Sequence, residues 1–271
     1  YRNKSAAFHR KVSAIAKDYD AIIVDHYEMF QYVPTEYQGK VIIHTHNAEY
    51  ALWKRMSQLS KNPLMKLALK IEAARVKAYE KEIIKQADLI YATPSDIEAF
   101  ENAGIETNRF KLTYHLGDAD LLSLPRIEFK ATEKSLVFMG TLSWEPNIDG
   151  LIWFIQQIYP KILAVHENVK LYVLGKQVND RLSSLTKNYP QIELCGFIDN
   201  INDYLEKSRV FIAPLRFGSG MKVKVLEGMY RGLPMVTTDV GAEGLEVRTN
   251  EHMLISNDAA IFANQCIQLL E

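Results

Sequence analysis

Six short apolar runs in the second half of the chain, at residues 135–140, 169–175, 192–197, 210–215, 235–239 and 252–256, are each separated by helix-forming stretches, and this alternation leaves few folds open. Runs of this length without polar alternation suit strands covered on both faces, and strands separated by helices return parallel to one another. The expected architecture is α/β, a doubly wound parallel sheet whose ligands bind beyond the carboxyl ends of its strands. Gly140-Thr141, Gly175-Lys176 and Phe217-Gly218 fall at such ends. The first half repeats the theme less completely, with a helix over 4–17, strands near 21–25, 41–45, 89–92 and 110–114, and a long helix-rich stretch over 50–86. The divide is expected near Leu124-Pro125, giving domains 1–126 and 127–271, with 127–134 as the linker.

The segment from Phe217 reads F-G-S-G-M-K-V-K-V-L-E-G-M-Y-R-G-L-P. It couples a glycine turn after a strand to good helix formers that continue to Arg231 before Gly232 and Pro234 stop them. A helix N-terminus presents unpaired N–H groups and the positive end of the helix dipole, and glycines let an anion approach the backbone. Gly218, Ser219, Gly220 and Met221 form the expected turn, with Ser219 able to cap, and Lys222 and Lys224 add positive charge. Glu227, three residues after Lys224 and four before Arg231, shares their face and offers a carboxylate to sugar hydroxyls. Such turns are also common in α/β proteins that bind nothing there. The P-loop pattern G-x-x-x-x-G-K-[ST] is absent, and no G-x-G-x-x-G follows the strand, so a phosphate must be held differently.

Composition excludes several classes. The 271 residues are 48% hydrophobic, enough for a full core and about two domains. A formal net charge of -1 gives no global basic field, against a nucleic-acid partner. Cys195 and Cys266 are isolated, without the spacing of a disulfide framework or zinc site, which fits a reducing, cytoplasmic setting. No apolar run reaches membrane-spanning length. Leu52 and Gln86 bound a stretch with nine basic residues against three acidic ones, a local balance of +6. Such a helix either presents a solvated face or makes peripheral contact with an anionic membrane, here its inner face.

Four motifs then arrive in a fixed order: L-V-F-M-G-T-L-S-W-E-P-N-I-D-G, L-Y-V-L-G-K, C-G-F-I-D-N-I-N-D-Y-L, and A-P-L-R-F-G-S-G-M-K-V-K-V-L-E-G-M-Y-R-G-L-P-M-V-T-T-D-V-G-A-E-G-L. Over roughly residues 135–256 the chain resembles the donor-binding domain of retaining GT-B-fold family 4 glycosyltransferases. V-I-I-H-T-H-N-A-E-Y and A-D-L-I-Y-A-T-P-S-D-I-E-A-F look like the acceptor-domain strand ends of the same enzymes. The resemblance implies a GT-B fold, two Rossmann-like domains facing a cleft. It also implies metal-independent transfer, with retention, of a sugar from a nucleotide diphosphate sugar to a glycan, lipid-linked or other hydroxyl acceptor in polysaccharide biosynthesis. No cofactor is expected beyond that donor substrate.

Residue by residue, Gly218, Ser219, Gly220 and Met221 match the turn that meets the donor phosphates, Lys222 and Lys224 its basic positions, and Glu227 the ribose-binding glutamate. Gly140 and Thr141 match the loop facing the diphosphate. Gly196, Phe197 and Ile198 match the segment beside the base, and His46 a histidine near the reacting sugar. Two departures stand out. Ser219 occupies a place where many members carry a glutamate, and Ser143-Trp144-Glu145-Pro146-Asn147 replaces a pattern that carries a lysine, shifting weight onto Lys222 and Lys224. His46 ends an apolar strand, where a structural histidine is the common case; His44 points to the same side. Asp118-Ala119-Asp120 lies in an expected turn and is assigned no metal. The chain opens in a helix with no strand before it, so the N-terminal domain is expected to be incomplete. Two alternatives stay open: a sugar-nucleotide epimerase of the same fold, and a non-catalytic GT-B subunit supporting a partner enzyme.

Overall fold

The structure, a computed structural model, describes residues 4–218 and 220–271. Ser219 lies outside the described residues. The chain divides into two compact units, one ending at His115 and the other running Leu116–Glu271.

The first unit holds a four-stranded parallel sheet, β1 (Ala21–Asp25), β2 (Lys40–His44), β3 (Leu89–Ala92) and β4 (Phe110–Leu112), hydrogen-bonded in that order. Its helices are α1 (Ala6–Ala16), α2 (Glu49–Leu59), α3 (Pro63–Gln86) and α4 (Pro94–Asn102). Their starts follow from local chemistry. Asn62 Oδ1 accepts from the Leu64 and Met65 amides ahead of α3, Thr93 caps α4, and Pro63 and Pro94 occupy first-turn positions where a missing N–H costs nothing. Ile43, Ile90 and Phe100 are fully buried in this unit's core, each worth about 1.5–3 kcal/mol of transfer free energy. The buried stripe of α3 runs Leu69, Ala73, Val76, Glu80, Ile83 and Ile84, a helical spacing with one carboxylate among apolar groups.

The second unit holds six parallel strands, β5 (Glu133–Met139), β6 (Lys170–Leu174), β7 (Ile192–Gly196), β8 (Ser208–Ala213), β9 (Met235–Thr237) and β10 (Leu254–Ile255). Their order, β10-β9-β8-β5-β6-β7, is doubly wound, and the winding reverses between β5 and β8. The intervening helices are α5 (Glu145–Trp153), α6 (Tyr159–Leu163), α7 (Asp180–Thr186), α8 (Asn202–Leu205), α9 (Val223–Tyr230), α10 (Asp239–Ala242) and α11 (Ala259–Leu270). A π-helical turn over Phe154–Ile158 joins α5 to α6, beside Pro160, which has no N–H to give. Leu136, Phe138, Val210, Ile212 and Phe262 are fully buried, as continuous apolar strands between two helix layers must be.

The divide falls earlier than the sequence suggested. Residues 116–126 belong to the second unit: the Tyr230 hydroxyl donates to the Leu116 carbonyl at 2.6 Å, Arg231 donates to the Pro125 carbonyl at 3.1 and 3.2 Å, and Leu121 is buried. Arg231 is therefore taken up by this packing and is not presented beside Lys224 and Glu227. It is the C-cap of α9, only 4% exposed, with its guanidinium turned into this packing.

Candidate functional site

At the reversal point, the carboxyl ends of β5 and β6 and the helix after β8 enclose a cavity of about 320 Å³. Met139, Gly140, Thr141, Leu174, Gly175, Lys176, Phe197, Ile198, Ile201, Lys224 and Glu227 line it. Two glycines shape its floor. A Cβ on Gly175 would overlap the Gly140 carbonyl oxygen, and one on Gly140 would stand 2.6 Å from Lys224 Nζ. The first glycine lets the two strand ends close up, and the second leaves the ammonium its place.

Lys224 reaches this cavity from α9. It is largely buried, hydrogen-bonds to Asn147 Oδ1, and stands 4.6 Å from the Phe138 ring centroid. Burial, followed by repulsion from Lys222, brings its pKa down to about 7, against a smaller opposing pull from Glu227. Glu227, half-buried one turn along α9, is pushed the other way, first by burial and then by the Asp118 carboxylate. Asn147 Nδ2 also donates 2.8 Å to the Thr141 carbonyl, so this buried amide ties the loop after β5 to the lysine. Among the anticipated residues, Gly140, Thr141, Phe197, Ile198, Lys224 and Glu227 meet here. Phe197 stands exposed at the rim with Lys176 Nζ 5.5 Å above its ring.

The others lie elsewhere. Gly196 closes β7 and its carbonyl accepts the Gly175 amide at 2.8 Å. Lys222 is the N-cap of α9, hydrogen-bonded to the Gly220 carbonyl and paired with Glu243 at 3.3 Å. Gly218, Gly220 and Met221 form the loop before the helix and do not line the cavity. Asp118 caps a turn by accepting from the Asp120 amide at 3.0 Å. Asn147, Gly175 and Lys176 were the omissions: the last two stood at a strand end in the sequence, whereas the role of Asn147 depends on a partner 77 residues away.

A second constellation lies in the first unit. Asp25 ends β1 in register with His44 at the end of β2, and His46 follows two residues later. His44 Nδ1 and His46 Nε2 both donate to Asp25 Oδ1, at 2.9 and 2.8 Å. These bonds, that of His44 foremost, hold the Asp25 carboxyl below its usual range. The His115 and His26 rings lie 6.0 and 5.9 Å from that of His46, and burial pushes the pKa of both below the ordinary imidazole value. The loop carrying His46 is fastened at several points. Thr45 donates its amide and hydroxyl to the Tyr91 carbonyl, the Ala48 amide donates to Asp96, and the Glu49 and Tyr50 amides donate to Glu80. Beside it, Tyr27, Glu28, Trp53, Glu72, Arg75, Val76, Ala78 and Tyr79 line a cavity of about 680 Å³. Asp25, His26 and His115 went unread in the sequence, although each stands at or just beyond the carboxyl end of a strand.

Residues 133–271 match the family Glycosyl transferases group 1. The chain belongs to this family. Within the curated relatives of the family member described here, an uncharacterized 44.6 kDa protein in the cps region of Klebsiella pneumoniae is 23% identical over 233 residues, 83% of this chain and 58% of that protein. The chain thus spans 58% of the length of that relative. Among solved structures, TarM from S. aureus, crystallised with fondaparinux, alpha-GlcNAc-glycerol and UDP, superposes with a TM-score of 0.74 at 15% identity over 98% of this chain and 51% of that one. Sucrose-phosphate synthase from Thermosynechococcus elongatus superposes with a TM-score of 0.71 at 18% identity, over 97% and 68%. At such identities the likeness is one of fold, and that fold is GT-B. No helix among the described residues is long and apolar enough to cross a membrane.

Proposed function

We propose that the cavity in the second unit holds the diphosphate and ribose of a nucleotide diphosphate sugar, and that the protein transfers the sugar to a hydroxyl acceptor with retention and without a catalytic metal. The observation that carries this reading is Lys224, an amine buried in a cavity at the reversal point of a doubly wound sheet, with a neutral amide as its hydrogen-bond partner. A buried cation is costly unless an anion arrives to pair with it. A diphosphate supplies that charge, and Glu227 accepts from ribose hydroxyls. Phe197, exposed at the rim, offers a flat apolar surface to the base.

Charge develops on the leaving diphosphate as the glycosidic bond breaks, and Lys224 with the amides that open α9 stabilises it electrostatically. His46 supplies the imidazole contact to the reacting sugar that the family resemblance implies. That S. aureus TarM was crystallised with UDP supports a nucleotide-sugar donor. The acceptor is a glycan or lipid-linked hydroxyl compound, in keeping with a relative in a cps region. The exposed apolar residues of α2 and α3 support peripheral contact with the inner face of a membrane.

Isothermal titration of the chain with UDP, GDP, ADP, CDP and dTDP tests the donor site. One of these should bind, and Glu227→Ala should weaken it by ~1.5–3 kcal/mol for each charged hydrogen bond lost. Silence across the whole panel, or an unchanged affinity in the variant, contradicts the assignment.

A further inference from the structure

Four of the seven histidines in the chain, His26, His44, His46 and His115, gather at the carboxyl ends of the first unit's strands. We propose that Asp25, His44 and His46 bind one transition-metal ion of the Zn²⁺ class. One ligand atom from each lies within 4.8 Å of the others, and Asp25 Oδ1 meets His44 Nδ1 and His46 Nε2 directly. The backbone sets this proximity. Asp25 and His44 are register partners on adjacent parallel strands, and His46 follows His44 by two residues, with their ring centroids 4.8 Å apart. Thr45 between them is held twice to the Tyr91 carbonyl, at 2.9 and 3.2 Å, so the two imidazoles are presented by a fixed peptide.

Around an ion with bonds of about 2.0–2.2 Å, tetrahedral ligand atoms stand about 3.3–3.5 Å apart. Asp25 now approaches the two nitrogens to 2.9 and 2.8 Å, so it must withdraw by about half an ångström. Its side chain, 67% exposed, is free to do so. The two imidazoles are about one-third exposed, so solvent ions reach them. His26 adds an independent sign that this corner is specially held. Its φ of 83° is a conformation that residues with a side chain rarely adopt, and its ring stands 5.9 Å from that of His46.

Two imidazoles and one carboxylate suit Zn²⁺, Co²⁺, Ni²⁺ or Cu²⁺, whereas Mg²⁺ and Ca²⁺ favour shells of oxygen. On binding, the ion takes the place of the two N–H protons that face Asp25. Each imidazole stays neutral, with its proton on the opposite ring nitrogen, and Asp25 binds as carboxylate. A fourth position remains for water or for His115, whose ring lies 6.0 Å from that of His46 and nearly parallel to it. The ion occupies the lone pair of His46, so it withholds that group from the sugar. This consequence rests on the function proposed above, whereas the binding itself does not.

The test is a titration of the chain, free of any polyhistidine tag and stripped with a chelator, with Co²⁺ followed by Zn²⁺. One Co²⁺ per chain should bind with visible d–d absorption and be displaced by Zn²⁺ but not by a large excess of Mg²⁺. Asp25→Asn and His44→Gln should each weaken Co²⁺ by at least ~10-fold, a lost ligand costing no less than a lost outer-shell partner. His9→Gln, remote and exposed, should leave it unchanged. Asp25→Asn keeps the side chain's shape at an exposed site, and its melting curve checks the fold. Absence of a saturable Co²⁺ band, equal affinity across the ligand variants, or displacement by Mg²⁺ overturns the proposal. Nucleotide titration of the same samples reports separately on the second unit, so failure of the donor reading leaves this result interpretable.

Discussion

A lysine buried without an anion is held in its uncharged form more often than one in water, and Lys224, at a pKa of about 7, sits near the midpoint at neutral pH. Its folded value lies below the unfolded one of 10.5. The stability it contributes is therefore present above 10.5 and lost as the pH falls through about 7, where the buried amine must take up a charge. A bound diphosphate reverses this preference, because it pairs with the ammonium and raises the pKa of the occupied site. Affinity for UDP should accordingly fall as the pH rises from 7 to 8.5, a range in which the terminal phosphate, with a second ionisation near ~6, is already charged. Titration at pH 8 in two buffers of different ionisation enthalpy should show proton uptake on binding. Lys224→Met should bind more weakly and lose both effects. A pH-independent affinity, or uptake that persists in the variant, would remove Lys224 from the phosphate.

At the scale of the elements, Glu80 is the carboxylate in the apolar stripe of α3, and it joins that helix to the start of α2. Its two oxygens accept from the Glu49 and Tyr50 amides at 2.8 and 3.1 Å, the donors a helix start leaves unpaired. Burial raises its pKa to about 8, although the two amide bonds pull the other way. The sign follows from linkage: the folded value lies above the unfolded one, so the stabilising effect is complete below about 4.5 and is lost as the pH rises to about 8. Glu80→Gln turns an amide –NH₂ toward a backbone N–H and should destabilise the protein by ~1–3 kcal/mol at pH 5. That gap should narrow by pH 8, as seen in urea midpoints; a gap independent of pH would place the titration elsewhere. The stripe shows where sequence reading stops. Unbroken apolar runs announced the buried strands, and the gathering of Gly140, Lys224 and Glu227 around one cavity was legible because strand, turn and helix are local. The pairing of Lys222 with Glu243, 21 residues on, was not legible in that way. Asp25 and His115 escaped for the same reason: their meeting with His46 comes from the order of strands in a sheet, which no local pattern states.

For the molecule as a whole, a net charge of -1 conceals an uneven distribution, because residues 52–86 carry a balance of +6. In the folded protein these residues form most of α2 and α3, and the end of α2 with the first turns of α3 exposes Leu59, Leu64, Met65, Leu67 and Ile71, with Leu64 79% accessible. Lys61 and Lys70 are exposed on the same segment. Isolated exposed leucines are ordinary, but several gathered at one helical hairpin among lysines have the chemistry of a surface that dips into an anionic lipid interface. The lysines supply a long-range attraction that salt screens, with a Debye length of about 10 Å at 0.1 M, and the apolar groups supply a term that salt leaves alone. Two manipulations therefore separate the contributions. In flotation with vesicles containing anionic lipid, the protein should float at low salt, less so at high salt, and little with zwitterionic vesicles. Leu64→Ser combined with Ile71→Ser should release it at either salt concentration while leaving nucleotide titration intact, because the cavity proposed for the donor lies wholly in the second unit. Binding that ignored lipid charge, salt and both substitutions would leave this hairpin a solvated helix pair and place any lipid-linked acceptor on a different surface.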